Sequence, residues 1–134
     1  MKQSVFITSI IIALSSSHSF AADVAKGESL FKKKCSTCHM VGPDAKASVG
    51  PALNNIVGNP VASIEGYKYS KSLKALGETG AVWSEEELDK WLVNQKKYIR
   101  AALDDKKAKS KMNLKVKKED ERADIIAYLA SLTQ

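Results

Sequence analysis

The most chemically informative segment of this sequence is Cys35-Ser36-Thr37-Cys38-His39. Two thiols three positions apart on a helical turn can each add to a vinyl group of a porphyrin and form a thioether. The imidazole that follows can then bind the iron of the same ring. This spacing predicts one covalently attached haem c, bound through Cys35 and Cys38, with His39 as an iron ligand.

The amino terminus has the pattern of a secretory signal peptide. Lys2 is followed by an apolar run, and the small residues Ser19 and Ala21 stand two apart, as a signal peptidase requires. We predict that residues 1–21 are cleaved and that residues 22–134 form one mature domain in the periplasm. The alternative is an uncleaved membrane anchor. It is disfavoured because a spanning helix needs about 20 apolar residues and this run is much shorter.

Three other interpretations of the cysteine pair compete with haem attachment. A thioredoxin-type redox pair normally follows a strand of a βαβ unit, and no strand pattern is found near Cys35. A plain local disulfide gives His39 no role. A structural zinc site needs four ligands, and the mature chain offers only three sulfur or imidazole donors. Covalent haem attachment accounts for all three residues.

Apolar residues recur at helical spacing near both ends of the mature chain. One such pattern runs from Asp23 to Lys34 and leads directly into the haem motif. The other is formed by Ile125, Tyr128, Leu129 and Leu132. We predict a main helix in each segment.

Between these two helices the sequence predicts a long loop, a short helix and a third main helix. Residues 42–69 are rich in Gly, Pro and Asn, which favours an irregular loop. A short helix is predicted from Ser70 to Leu76. Ser84 and Glu87 form a capping box that begins the third main helix. The predicted fold class is all-α, with three main helices plus short helices and loops wrapped around one covalent haem.

Further short motifs extend over nearly all of the mature chain. They are Gly27, Phe31, Gly50-Pro51-Ala52-Leu53, Tyr67, Tyr69, Trp83, Lys96-Lys97-Tyr98-Ile99, Ser110-Lys111-Met112, Glu121-Arg122-Ala123-Asp124 and Tyr128-Leu129. Together with the haem motif, they make the sequence resemble the class I c-type cytochromes, and among these the soluble bacterial group related to mitochondrial cytochrome c.

The resemblance implies roles for residues outside the haem motif. It implies that the first and last helices cross closely at Gly27. It also implies that the Pro51 carbonyl accepts a hydrogen bond from His39 Nδ1, and that Tyr69 and Trp83 donate hydrogen bonds to the haem propionates. Considered alone, Pro51 could be a turn residue and the two aromatic side chains ordinary core rings. We therefore predict Pro51, Tyr69 and Trp83 as cofactor-binding residues on the strength of the resemblance.

The second iron ligand is predicted by elimination. His39 is the only histidine after the signal peptide, so ligation by two histidines is unavailable within one chain. Met40 directly follows His39, and its side chain cannot reach around the ring. Met112, far along the chain in a segment that resembles the ligand segment of the family, is therefore the predicted ligand. The competing interpretation is a methionine that fills a gap in the core.

The sequence departs from the family pattern in the region before Met112. Trp91 stands where the family usually has a tyrosine, and an indole can donate a hydrogen bond but cannot accept one. Gln95 and Arg100 occupy positions where prolines are common. The stretch between Tyr98 and Met112 is also longer, so its conformation is not predicted.

A haem iron with His and Met ligands has a raised reduction potential and no open coordination position. We therefore predict a one-electron carrier rather than an enzyme. We expect it to carry electrons from a membrane quinol-oxidising cytochrome complex to an oxidase, a photosynthetic reaction centre or a soluble reductase. The alternative is a haem enzyme or gas sensor with an open or displaceable sixth ligand.

The charge of the chain favours acidic partners. The 134 residues have a formal net charge of +6, and ten basic residues but only two acidic ones lie between Gln95 and Lys118. Such a run of charge is more often a solvated loop, but the resemblance implies that lysines in this region dock on the acidic faces of membrane redox complexes. Nucleic-acid binding is not expected, because aromatic residues are 7% of the chain and no binding motif is recognised. The sequence gives no sign of oligomerisation, and we expect a monomer.

Overall fold

The computed structural model describes residues 21–133, in which five helices are joined by irregular segments. The helices are α1 (Val24–Lys34), α2 (Lys71–Glu78), α3 (Glu85–Val93), α4 (Gln95–Ala102) and α5 (Glu119–Ser131). Within that range the only β-type pairing is an isolated antiparallel bridge between Pro60 and Val82. The predicted all-α fold is confirmed. The predicted signal peptide lies, except for Ala21, outside the described residues.

None of the helices between residues 21 and 133 is both long and apolar enough to cross a membrane.

Side-chain caps mark the beginning of two of the three main helices, α1 and α3, whereas α5 begins after Lys118 without one. The Asp23 side chain accepts a hydrogen bond from the Lys26 amide at 3.0 Å and begins α1. Ser84 accepts from the Glu87 amide at 3.2 Å and begins α3, as predicted. The second half of the capping box is not formed, because the Glu87 carboxylate accepts from the Tyr98 hydroxyl at 2.6 Å and pairs with Lys90 at 2.7 Å. A phenol and an ammonium group replace the backbone amide as its partners.

Helix α4 was not predicted from the apolar spacing. Asn94 caps it by accepting from the Lys97 amide at 3.1 Å, and its residues are mainly strong helix formers. Both positions where the family commonly has proline, Gln95 and Arg100, fall inside this helix. A proline at position 100 would remove a helical hydrogen bond and clash with the preceding turn. Arginine at that position therefore allows the helix to continue to Ala102.

The largest helix contact in the described chain is the crossing of α1 and α5. A Cβ atom built on Gly27 would lie 1.9 Å from the carbonyl oxygen of Asp124, so only glycine permits this approach. One turn further along, the rings of Phe31 and Tyr128 are 5.6 Å apart. The expected close crossing at Gly27 is confirmed. It places the carboxyl end of α1, and thus the haem motif, beside buried residues of α5.

We predict that Gly27→Ala lowers the free energy of unfolding by about 1 to 3 kcal/mol, because the added methyl group must push α1 and α5 apart. Chemical denaturation of the holoprotein measures the change. Ser29→Ala, an exposed substitution on the same helix, is the control and should be nearly neutral. Equal stability of the two variants would show that the crossing tolerates a side chain.

Candidate functional site

The haem motif forms a single turn that continues from α1. The amides of Cys35 and Ser36 both donate to the Phe31 carbonyl, at 2.8 and 3.0 Å, and the His39 amide donates to the Cys35 carbonyl at 3.0 Å. The turn is joined to the following loop, because the Gly50 amide donates to the Cys38 carbonyl at 2.8 Å. Both thiols and the imidazole are thus oriented by backbone bonds.

The His39 ring is fixed in position and in tautomer by the loop after the motif. Its Nδ1 lies 2.8 Å from the Pro51 carbonyl oxygen. A carbonyl only accepts, so Nδ1 carries the proton and Nε2 keeps the lone pair that a metal would need. Burial lowers the pKa of His39, although the bond to Pro51 opposes this shift. Because the net shift of the pKa is downward, the imidazole is neutral at neutral pH and Nε2 is available as a ligand atom.

Gly50 packs directly against the ring. A Cβ atom on Gly50 would lie 2.4 Å from His39 Cε1 and 2.7 Å from His39 Nδ1. The absence of a side chain at Gly50 is therefore a requirement for the observed position of the imidazole.

All seven predicted site residues line one cleft of about 390 Å³. They are Cys35, Cys38, His39, Pro51, Tyr69, Trp83 and Met112. The remaining walls are mostly apolar and come from α1, α2, α3, α5 and the long loop. Examples are Phe31, Leu53, Ile56, Leu73, Leu88, Leu92, Ile125 and Leu129. Met40, by contrast, is 36% exposed and is not among the lining residues.

The state of the cysteines weakens the competing interpretations of this pair. No disulfide joins Cys35 and Cys38, and burial raises the pKa of the Cys35 thiol to about 11. A thioredoxin-type pair requires the opposite shift, because its attacking sulfur must be a thiolate near neutral pH. Within residues 21–133 no group of three His, Cys, Asp or Glu side chains is arranged to hold a metal ion, which disfavours a zinc site.

Tyr69 and Trp83 bring polar hydrogens to the cleft. Burial raises the pKa of Tyr69, so its hydroxyl keeps its proton and can act as a donor. Trp83 is 5% exposed. Its backbone is fixed to the loop by bonds to Gly58 and Asn59, of 2.8 and 2.9 Å. Both residues line the cleft, and the side chain of each has one group that can donate a hydrogen bond.

Met112 lies in the irregular segment between α4 and α5. The Trp91 Nε1 donates to the Met112 sulfur at 3.2 Å, and the Ser110 hydroxyl donates to the Met112 carbonyl at 2.9 Å. The indole hydrogen bond joins α3 to the sulfur across 21 positions of sequence. Trp91, which stands where the family usually has a tyrosine, therefore donates a hydrogen bond to this sulfur.

Comparisons with known proteins show the family of the chain. The sequence model of the cytochrome c family matches residues 24–133. A cytochrome c2 from Rhodovulum adriaticum is 44% identical over 119 residues, which cover 84% of this chain and 94% of the relative. The chain belongs to the cytochrome c family.

Solved structures of cytochromes c resemble the fold closely. Cytochrome c2 from Rhodospirillum centenum has a TM-score of 0.80 and 38% identity, over 84% of this chain and all 100% of that one. Ferric cytochrome c-550 from Paracoccus versutus has a TM-score of 0.77 and 36% identity, over 85% of this chain and 100% of that one. The predicted resemblance and fold are confirmed.

As a member of the cytochrome c family, the chain is an electron carrier with a covalently bound haem c. The cleft has the chemistry that such a group requires. It has two thiols and an imidazole on one turn and a mostly apolar lining. Tyr69 and Trp83, whose side chains can donate hydrogen bonds, are also lining residues. The residues present therefore fit a covalently bound haem.

Two residues that matter for the site were not predicted. Gln95 is 1% exposed, and its amide binds the carbonyl oxygens of Trp91 and Leu114. Arg122 is 8% exposed, and it binds Asp89 at 2.6 Å and the Val116 carbonyl at 3.2 Å. For Gln95 the signal in the sequence was the departure from proline, and for Arg122 it was the motif Glu121-Arg122-Ala123-Asp124. Neither signal indicated the hydrogen-bond partners.

We predict that Gly50→Ala displaces the His39 imidazole and lengthens or breaks its bond to Pro51. The holoprotein should lose about 1 to 3 kcal/mol of stability, as expected for an added methyl group in a packed site. The NMR signal of the His39 Nδ1 proton and denaturant unfolding measure the two effects. Ser48→Ala, exposed in the same loop, should change neither.

Proposed function

We propose that this cytochrome carries single electrons in the periplasm, with the haem iron bound by His39 and Met112. Two observations support the ligand pair. His39 and Met112 both line the cleft, whereas Met40 is exposed and does not. The hydrogen bond that His39 Nδ1 donates to the Pro51 carbonyl fixes His39 in the tautomer that can bind a metal through Nε2.

The residues of the cleft would hold the group in distinct ways. Cys35 and Cys38 supply the thioether sulfurs, and Tyr69 and Trp83 supply hydrogen bonds for the propionates. When bound, the haem accepts one electron at its iron and releases it again. The contribution of the protein is to keep the iron coordinated at both positions and to keep water out with apolar walls. Because a soft thioether favours ferrous iron, Met112 would raise the reduction potential.

The Trp91 hydrogen bond to Met112 argues against the enzyme or sensor alternative. That alternative needs a sixth position that is open or easily vacated. A donor 3.2 Å from the sulfur keeps the side chain in the cleft, and the second sulfur lone pair can still bind iron. We therefore propose that the protein is a carrier and not an enzyme.

A basic surface near the cleft supports docking on acidic partners. We define the basic surface as Lys96, Lys97, Arg100, Lys109, Lys111 and Lys115. None of these residues forms a salt bridge within the described part of the chain. Lys111 also lines the cleft. The positive charge therefore extends to the cleft entrance, where an approaching partner would be close to the haem.

The proposed partners are the acidic faces of membrane redox complexes, namely a quinol-oxidising cytochrome complex as donor and an oxidase or reaction centre as acceptor. The periplasmic location rests on the predicted signal peptide of residues 1–21 and a mature domain of residues 22–134. The mature protein would act as a monomer with no membrane anchor.

We predict that Met112→Ala removes the weak iron–sulfur charge-transfer band of the oxidised protein, lowers the reduction potential, and lets carbon monoxide bind the reduced iron. Visible spectra with and without carbon monoxide, together with a redox titration, measure all three. Met40→Ala is the control and should behave like the unmodified protein. If the unmodified protein already binds carbon monoxide readily, the sixth position is open and the enzyme or sensor alternative is favoured.

We predict that electron transfer to a purified bacterial cytochrome c oxidase slows by about tenfold or more as ionic strength rises from low to physiological values, because opposite charges steer association. Lys109→Glu should slow association at low salt more than Lys26→Glu, which reverses an exposed charge on α1 outside the basic surface. Stopped-flow oxidation of the reduced protein measures both rates. Rates that do not depend on salt would contradict docking through the basic surface.

A further inference from the structure

The segment that carries Met112 has little regular structure to hold it. Residues 103–118 between α4 and α5 contain neither helix nor strand, and seven of them are lysines. Ala108 and Val116 are its buried residues, at 2% and 1% exposure. Both lie four positions from Met112. Met112 and Leu114 pack against the core but are only partly buried. The position of the sulfur therefore depends also on hydrogen bonds made close to it.

Gln95 is one of the residues that bind this segment from outside. Trp91 binds the Met112 sulfur itself, the Lys111 ammonium binds the Lys68 carbonyl, and Gln95 binds two residues after Met112. Its Nε2 donates one hydrogen to the Trp91 carbonyl at 2.8 Å and the other to the Leu114 carbonyl. At 1% exposure, Gln95 is the most deeply buried polar side chain in the described chain. An amide NH₂ has two donors, and both are used here.

The two carbonyl groups that Gln95 binds belong to the two segments that meet at the Met112 sulfur, namely α3 and the segment of residues 103–118. Trp91 donates its indole hydrogen to Met112, and Leu114 lies two residues after Met112. The backbone bond from the Val116 amide to the Leu92 carbonyl, at 2.9 Å, joins the same two stretches one turn further out. Gln95 thus fixes the separation between the indole donor and the sulfur acceptor.

We propose that Gln95 is a positioning residue for the sixth iron ligand, and that its two hydrogen bonds set how readily the Met112 sulfur leaves the iron. This inference rests on the proposed function, in which Met112 is that ligand. Without the two bonds, the segment around Met112 samples conformations with the sulfur away from the cleft. An external ligand then competes more effectively, because its apparent affinity rises with the population of the sulfur-off state.

The test is the affinity of the oxidised holoprotein for imidazole, measured by loss of the iron–sulfur charge-transfer band. Gln95→Leu removes both donors while keeping a side chain of similar size, and should raise imidazole affinity about tenfold, because each buried hydrogen bond contributes modestly but measurably. Hydrogen exchange of residues 109–118 should increase in the same variant. This second readout does not depend on electron transfer.

Ile99→Val is the matched control. Ile99 is fully buried on α4 but does not line the cleft, so its truncation should lower the melting temperature without changing imidazole affinity. If Gln95→Leu does not accumulate as holoprotein, Gln95→Asn replaces it in the test. The asparagine side chain is one methylene shorter and reaches at most one carbonyl, so a smaller rise in imidazole affinity is expected.

The outcomes separate this inference from the proposed function. If Met112→Ala abolishes the charge-transfer band but the Gln95 variants bind imidazole like the unmodified protein, only the role of Gln95 is overturned. Equal changes in affinity for Gln95→Leu and Ile99→Val at equal loss of melting temperature would reduce Gln95 to a general stabilising residue. If the unmodified protein lacks the charge-transfer band, Met112 is not the ligand, and both proposals are wrong.

Discussion

The structure depends on the burial of the covalently bound haem between a small number of helices. Outside the α1–α5 crossing, the helices contact one another only weakly, and the apolar faces of α1, α3 and α5 meet around the cleft. A covalently attached haem is present in the unfolded chain as well, so it stabilises the native state through the contacts with these faces that only the folded chain makes. The helices are therefore best understood as the walls of a cofactor site.

The two sides of this site are held by different kinds of interaction. Around His39, backbone hydrogen bonds and the close packing of Gly50 determine the position of the ring. Around Met112, the important bonds come from the side chains of Trp91, Gln95 and Ser110. Backbone bonds within a turn form with little loss of side-chain entropy, whereas each side-chain bond requires ordering a rotamer as well. The Met112 side is consequently the more easily perturbed of the two.

This difference also explains how much could be predicted from the sequence. The haem motif and the Ser84 cap act over a few residues, so their spacing alone indicates their role. The bond between Pro51 and His39 spans 12 positions, and only the family resemblance made it predictable. The bond between Gln95 and Leu114 spans 19 positions and occurs where the family commonly has proline, so neither spacing nor resemblance pointed to it. Helix α4 was missed because capping and composition, rather than an apolar stripe, define it.

The composition of the segment before α5 makes such side-chain bonds necessary. Its lysines are exposed, and charged side chains are almost never fully buried without a partner, so the segment cannot be fixed by a continuous apolar face. Its carbonyl groups instead accept from buried donors on the neighbouring helices. Gln95 binds near Met112, and Arg122 binds the carbonyls of Val116 and Lys117 at 3.2 and 2.9 Å. A segment can in this way expose the positive charge suited to docking and still keep one sulfur directed into the cleft.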